Sequence, residues 1–421
     1  MAYDSDIVKL KKHPSENFDW QLFLVSALLF AMGLISIYSA TFEAGMSNYF
    51  FKQLIFTGIG LFVMFVTMFL PEKWMLLYSY IYYFFVLIML LGVLIFGTTV
   101  YGTKGWFQIS GISIQPSEFA KLSTLMVIAQ YLSRKGTDIR TLRDLGVVLG
   151  LTLLPVGLIA LEPDIGSATV LFGMLFGILF WTGFDILILF FAASLPIVFI
   201  MSLVGPVYFV ASVSLYSIIA ALFKKKILLT LATIIIVIGV GYSSPILINK
   251  LMPHQKDRID TFLNPDKDPL GKGYNVIQSK LAVGSGGLLG KGFLQGTQTQ
   301  LRYIPKQWTD FIFCVPAEEF GFAGGTLVIA LLMFLIYRAT RIAYIVDNKF
   351  FSIVSFGIAT IIFYHTIVNV GMVLGLMPVM GIPLPFISYG GSSLIVNMMM
   401  VGMLLNAFRT YRQIKYKKNI D

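Results

Sequence analysis

Residues 254–319 read HQKDRIDTFLNPDKDPLGKGYNVIQSKLAVGSGGLLGKGFLQGTQTQLRYIPKQWTDFIFCVPAEE. On either side the chain is mostly apolar, in runs of bilayer-crossing length, and here those runs stop. The stretch is too long and polar to connect adjacent helices, and its glycines, prolines and aromatics are too ordered for a plain disordered linker. A structureless loop of more than about 15 residues is usually functional or disordered. Chemistry is therefore expected in this stretch, beside a bundle that lies in lipid.

Composition supports that division. Of 421 residues, 57% are hydrophobic and 12% charged, whereas soluble domains carry about 25% charged residues. The net charge of +10 is read as topological, not as a nucleic-acid footprint, because basic excess in a membrane protein marks its inner face. The single cysteine, Cys314, excludes an intrachain disulfide and a cysteine-based metal cluster, and is read as a packing residue. No cleavable signal pattern opens the chain, so the first span is expected to drive insertion.

A crossing helix needs about 20 residues. Twelve apolar runs qualify, at 21–40, 52–70, 76–97, 115–132, 145–161, 165–182, 185–203, 206–223, 227–247, 317–337, 351–375 and 388–408. With residues 1–20 as a cytoplasmic tail, the inner segments collect Lys9, Lys11, Lys12, Lys73, Arg134, Lys135, Arg140, Arg143 and the triple lysine 224–226. Arg338, Arg341, Lys349 and the basic tail 409–421 follow on the same side, and the short outer loops hold almost no Lys or Arg, as the positive-inside rule expects. The reading is an all-α polytopic membrane protein with about twelve transmembrane helices. Spans one to nine fill 21–247, a large extracellular loop fills 248–316, and spans ten to twelve fill 317–408. Both termini are expected inside. MPVMGIPLPFISYGGSS (377–393) carries three prolines and three glycines, and irregular backbone at membrane depth must be buried in protein or line a cavity.

Ionisable residues in such a chain are functional candidates. Glu118 and Lys121, at i and i+3, share a helix face near the outer end of the fourth span. A structural ion pair competes with a site open to a water-filled cleft. Asp310, among aromatics in PKQWTDFIF, suits a general base near neutral pH and equally suits a helix N-cap. Glu318 and Glu319 read as first-turn residues of the tenth span, complementing its dipole. Asp164, in EPD, reads as a cap. Arg258, Lys272, Lys280, Lys291, Arg302 and Lys306 could hold a phosphate or diphosphate, and GSGG (284–287) could offer amides to an anion. His254 and His365 are too isolated for a zinc site, and His365 reads as an interhelical hydrogen bonder.

Five stretches carry a resemblance: GTKGWFQISGISIQPSEFAKL (102–122), EPDIGSA (162–168), the run from DRIDTF to TDFIF (257–313), EEFGFAGG (318–325) and MGIPLPFISYGGSS (380–393). Together they resemble the SEDS family (shape, elongation, division and sporulation), in its rod-shape branch. The resemblance implies a peptidoglycan glycosyltransferase that polymerises lipid II during elongation, partnered by a class B penicillin-binding transpeptidase and other elongation-complex membrane proteins. It implies Asp310 as the essential carboxylate, with Glu118 and Lys121 in the same cavity, joined by Arg258 and Trp106. Lys306 is carried among the loop cations that could contact substrate. It also implies a core of ten spans, so the extra hairpin is expected within 185–247. Glu118 would hold Lys121 or help bind a divalent cation (Mg or Mn), though no ligand cluster in the sequence demands a metal. Two other readings stand beside it. A precursor flippase would suit broken helices and an intramembrane Glu/Lys pair, but would not need the long loop. A noncatalytic scaffold would tolerate loss of Asp310.

Overall fold

The computed structural model describes residues 18–43, 45–100, 103–109, 112–223, 227–249, 253–271, 273–301, 303–305 and 307–418. All twelve expected spans are helices: α1 (Trp20–Phe42), α2 (Ser47–Phe69), α3 (Glu72–Phe96), α4 (Pro116–Ser133), α5 (Leu142–Leu161), α6 (Ile165–Trp181), α7 (Ile186–Val204), α8 (Pro206–Leu222) and α9 (Ile227–Asn249), then α14 (Gly321–Ile345), α15 (Lys349–Val373) and α16 (Gly391–Lys418). Nine are long and apolar enough to cross a bilayer by length and composition; α6 and α8 are shorter apolar helices. The remaining one, α4, is 18 residues long and carries Glu118, Lys121 and Gln130.

The loop is far from structureless. It folds into α10 (Pro253–Leu263), α11 (Tyr274–Ser285), α12 (Thr297–Gln300) and α13 (Cys314–Glu319). Residues 98–114 form a small antiparallel sheet, β1 (Thr98–Val100), β2 (Thr103–Ile109) and β3 (Ile112–Ile114), in that order. The triple lysine expected to close a tight hairpin between α8 and α9 lies outside the described residues. The basic tail is no separate segment, because Arg, Lys and Gln are good helix formers and α16 continues through Lys418.

The main core sits where α4, α15 and α16 are wrapped by the other helices, and α15 is buried along most of its length. Small residues let these helices approach closely. A Cβ at Gly402 of α16 would overlap Thr67 Oγ1 and the Met64 carbonyl of α2, and one at Gly60 of α2 would overlap the Met398 sulfur. Gly402→Val forces α2 and α16 apart, since the Met64 carbonyl belongs to a helix ladder. The expected result is a loss of about 1–3 kcal/mol from overpacking, read as a lower melting temperature in detergent.

By contrast, α7, α8 and α9 pack mainly on one another around a second core of Leu187, Val198, Tyr216, Ala220 and Val237. The hairpin expected within 185–247 is thus part of a three-helix unit, joined to the body chiefly through α6. At the opposite end of the chain's order, buried Asp19 caps α1 at Leu22 and pairs with Arg338 of α14. That pair ties the first span to the tenth.

Candidate active site

The site is built on the irregular stretch 374–390 between α15 and α16. Ile382, Leu384, Phe386, Ile387 and Ser388 are buried in it, as irregular backbone at membrane depth requires. The TDFIF segment lies against this stretch and is held through its backbone. Tyr389 N donates to the Trp308 carbonyl at 2.8 Å, and Ser388 Oγ donates to the Thr309 carbonyl at 2.7 Å. Asn369 Nδ2 of α15 donates to the carbonyls of Asp310, at 2.9 Å, and Ile382, at 2.8 Å. The Asp310 carboxylate lies by Gly381, whose φ is +70°; a Cβ there would come 3.7 Å from Oδ2. Asp310 is no N-cap, since α13 begins after Phe313.

Two residues beyond Gly381, the Pro383 carbonyl meets His365 Nδ1 at 2.9 Å. His365 Nε2 lies 3.2 Å from Lys121 Nζ, and Lys121 Nζ lies 2.7 Å from Glu118 Oε2. An ammonium can only donate, so Nε2 accepts and the ring proton sits on Nδ1, donated to Pro383. Glu118, Lys121 and His365 are 4%, 2% and 4% exposed, so this chain runs buried inside the bundle. The i, i+3 spacing placed Glu118 and Lys121 together as read, and His365 bridges helices as read. Asn369, one turn after His365 on the same face of α15, escaped notice, although two polar residues at i, i+4 in an apolar run were the available signal.

Arg258 of α10 and Lys280 of α11 line one cavity of about 270 Å³ with Phe262, Asn275, Met377 and Val379. Its wall, 377–379, runs directly into Gly381 beside Asp310. Trp106 is half-buried on β2, paired with Thr98. Lys272, Arg302 and Lys306 lie outside the described residues.

Three readings of the loop need correction. GSGG does not present amides: α11 runs through Ser285, so its helix end offers carbonyls, and Gly287 and Leu288 accept from Phe322 N and Ala323 N at the start of α14. Gly286 serves close packing instead, since a Cβ there would overlap the Ala317 carbonyl. Lys291 is no open phosphate ligand, being paired to Glu318 Oε1 at 2.7 Å. Glu318 and Glu319 precede the tenth span, which starts at Gly321. Glu318 accepts from Gln298 N and Thr299 N, both at 2.9 Å, and Glu319 accepts from Ser39 and Gln300. Glu318 ties the loop to itself, and Glu319 fastens it to Ser39 of α1. Burial raises the Glu318 carboxyl, but Lys291 and those amides outweigh it and hold it below the usual range.

Asp164 caps α6 at Ser167 N as read, and also accepts from Gln115 and Ser117. Its neighbour Glu162, which with Asp164 flanks Pro163 and reads as an ordinary residue of a short outer turn, is more unusual than that reading. It is 0% exposed, neither oxygen has a hydrogen-bond partner among the described residues, and Gly105 of β2 covers it. Burial, and secondarily Asp164, push its carboxyl up to about 8. The folded protein then holds a proton that the unfolded chain releases, so stability falls as pH rises from about 4.5 toward about 8 and levels off above. Glu162→Gln should flatten that dependence and melt higher than wild type at about pH 9, with little difference at about pH 4.

Among the described residues no three His, Cys, Asp or Glu side chains converge to hold a metal. Glu118 is engaged by Lys121, so a second role as cation ligand does not fit this arrangement.

A multi-pass helical membrane protein with a clamped loop carboxylate over a buried ionic chain is the class these features define. The FtsW, RodA and SpoVE family model, described as cell cycle protein, matches residues 19–227 and 208–413; the chain belongs to this family. Stage V sporulation protein E of Bacillus subtilis is 36% identical over 94% of this chain and 98% of that protein. The peptidoglycan glycosyltransferase MrdB of Escherichia coli K12 is 32% identical over 94% of each. Among solved structures, a chain of a peptidoglycan synthase complex coordinating polymerization and crosslinking superposes with TM-score 0.71 at 30% identity, covering 94% of this chain and 99% of that one. The rod shape determining protein RodA of Thermus thermophilus gives TM-score 0.61 at 26% identity, with 93% and 97% covered.

Proposed function

We propose that this chain is a peptidoglycan glycosyltransferase that polymerises lipid II into glycan strands for cell elongation, with Asp310 as general base. The carrying observation is the Asp310 carboxylate on a backbone-clamped segment beside Gly381, adjoining the cavity lined by Arg258 and Lys280. The 4-hydroxyl of the acceptor sugar attacks the anomeric carbon of the lipid-linked chain and gives its proton to Asp310. The bond to undecaprenyl diphosphate breaks as the new β-1,4 bond forms, with inversion from an α-linked donor and no covalent intermediate. Arg258 and Lys280 neutralise the departing diphosphate, where charge develops. Glu118, Lys121 and His365 act as positioning residues, fixing the Pro383 carbonyl and with it the stretch on which Asp310 rests.

The basic segments support a topology with both termini in the cytoplasm and the loop on the outer face. The partner is a class B penicillin-binding transpeptidase, which the likeness to a synthase complex supports. Purified chain with that partner and lipid II should yield long glycan. No product with the partner present would return the precursor-flippase and scaffold readings.

A further inference from the structure

A second cavity, of about 520 Å³, lies between α2, α3, α4 and α16 and plays no part in the site above. Leu70, Trp74, Tyr78, Tyr82, Met126 and Met403 give it an apolar lining. It follows α3 from Trp74 to Tyr82, roughly 12 Å at 1.5 Å per residue. One leaflet is half of a hydrocarbon core of about 30 Å, or about 15 Å, so the slot runs one leaflet deep from the α2–α3 turn toward mid-membrane. It opens sideways to lipid, because Trp74 and Tyr78, stacked at 5.4 Å, are 40% and 45% exposed.

Its mouth is cationic. Lys73 sits over the Trp74 ring. The Arg409 guanidinium lies 4.9 Å from the centre of the Phe69 ring, next to Leu70, and its Nε is buried without a hydrogen-bond partner. Asn406, one turn earlier, already satisfies the Thr67 and Leu70 carbonyls, so these carbonyls do not engage the Arg409 Nε. An apolar slot one leaflet long beside a guanidinium with an unsatisfied Nε and a lysine complements a chain of methylenes ending in a phosphate.

We propose that this slot seats an acyl chain of an anionic phospholipid from the leaflet at the α2–α3 turn, its phosphate held between Arg409 and Lys73. The full-length chain, delipidated in detergent and titrated with phosphatidylglycerol or phosphatidylcholine, tests this by native mass spectrometry. The expected result is one phosphatidylglycerol retained per chain, with retention about tenfold weaker in Arg409→Gln through loss of the charged contact. Met403→Trp, which fills the slot, should lose the lipid as well, while Arg140→Gln, a cation of the α4–α5 turn bonded to Gly183 O, should keep it. Equal retention of both lipids, unchanged retention in Arg409→Gln, or displacement by undecaprenyl phosphate would overturn the proposal. If Met403→Trp does not fold, Arg409→Gln alone decides.

Discussion

Asp310→Asn lowers lipid II polymerisation by about 10²–10⁴-fold, the range that general-base catalysis supplies, without unfolding the protein. The two halves of that result have separate causes. The substitution keeps side-chain size but removes the group that takes the acceptor proton. The segment itself is held by the carbonyls of Trp308, Thr309 and Asp310, all of which survive in the variant. Glycan length on gels and melting temperature in detergent, measured together, check both halves. Full polymerisation by a folded Asp310→Asn protein would move the base elsewhere.

Lys121→Met destabilises the fold by about 3–5 kcal/mol, because it strands the Glu118 carboxylate inside the bundle without its partner. The Lys121–Glu118 contact is 2.7 Å long, with side chains 3% and 5% exposed, so solvent offers little relief. Adding Glu118→Gln should restore most of the lost stability, since the stranded charge is gone. Polymerisation should stay depressed in the double variant. His365 Nε2 then lacks its ammonium donor, the ring is free to shift its proton, and the Pro383 carbonyl loses a fixed partner. Stability and activity thus separate in one thermodynamic cycle. If both return together, the pair is structural only.

The spans were legible because long apolar runs and a basic-side charge pattern leave few alternatives in lipid. Glu118 with Lys121 followed from i, i+3 spacing, and Asp310 from an isolated carboxylate at the end of a polar stretch. The loop was harder. GSGG has the composition of an anion-binding turn, yet the distinction between amides and carbonyls depends on where α11 ends, which its local sequence does not show. Lys291 looked like its neighbouring loop cations until the fold brought Glu318, 27 residues away, beside it. Glu162 resembled an ordinary turn carboxylate because the covering strand at Gly105 is remote in the chain. The separate core of α7–α9 had no signal, since its residues read like any other span. Residues whose role depends on a distant partner were the ones misread or missed.

The seam between α2 and α16 has a consequence for biosynthesis. The two helices are separated by more than 300 residues of chain, and at roughly 5–20 residues per second α2 leaves the ribosome roughly 20–60 s before its partner exists. During that interval Gln53, which will bond the Ser388 carbonyl and Gly390 N, and the bare groove at Gly60 face lipid or the insertion machinery. The nascent protein therefore stays open along one side until α16 arrives, and the clamp around Asp310 cannot close before Ser388 and Tyr389 have been made.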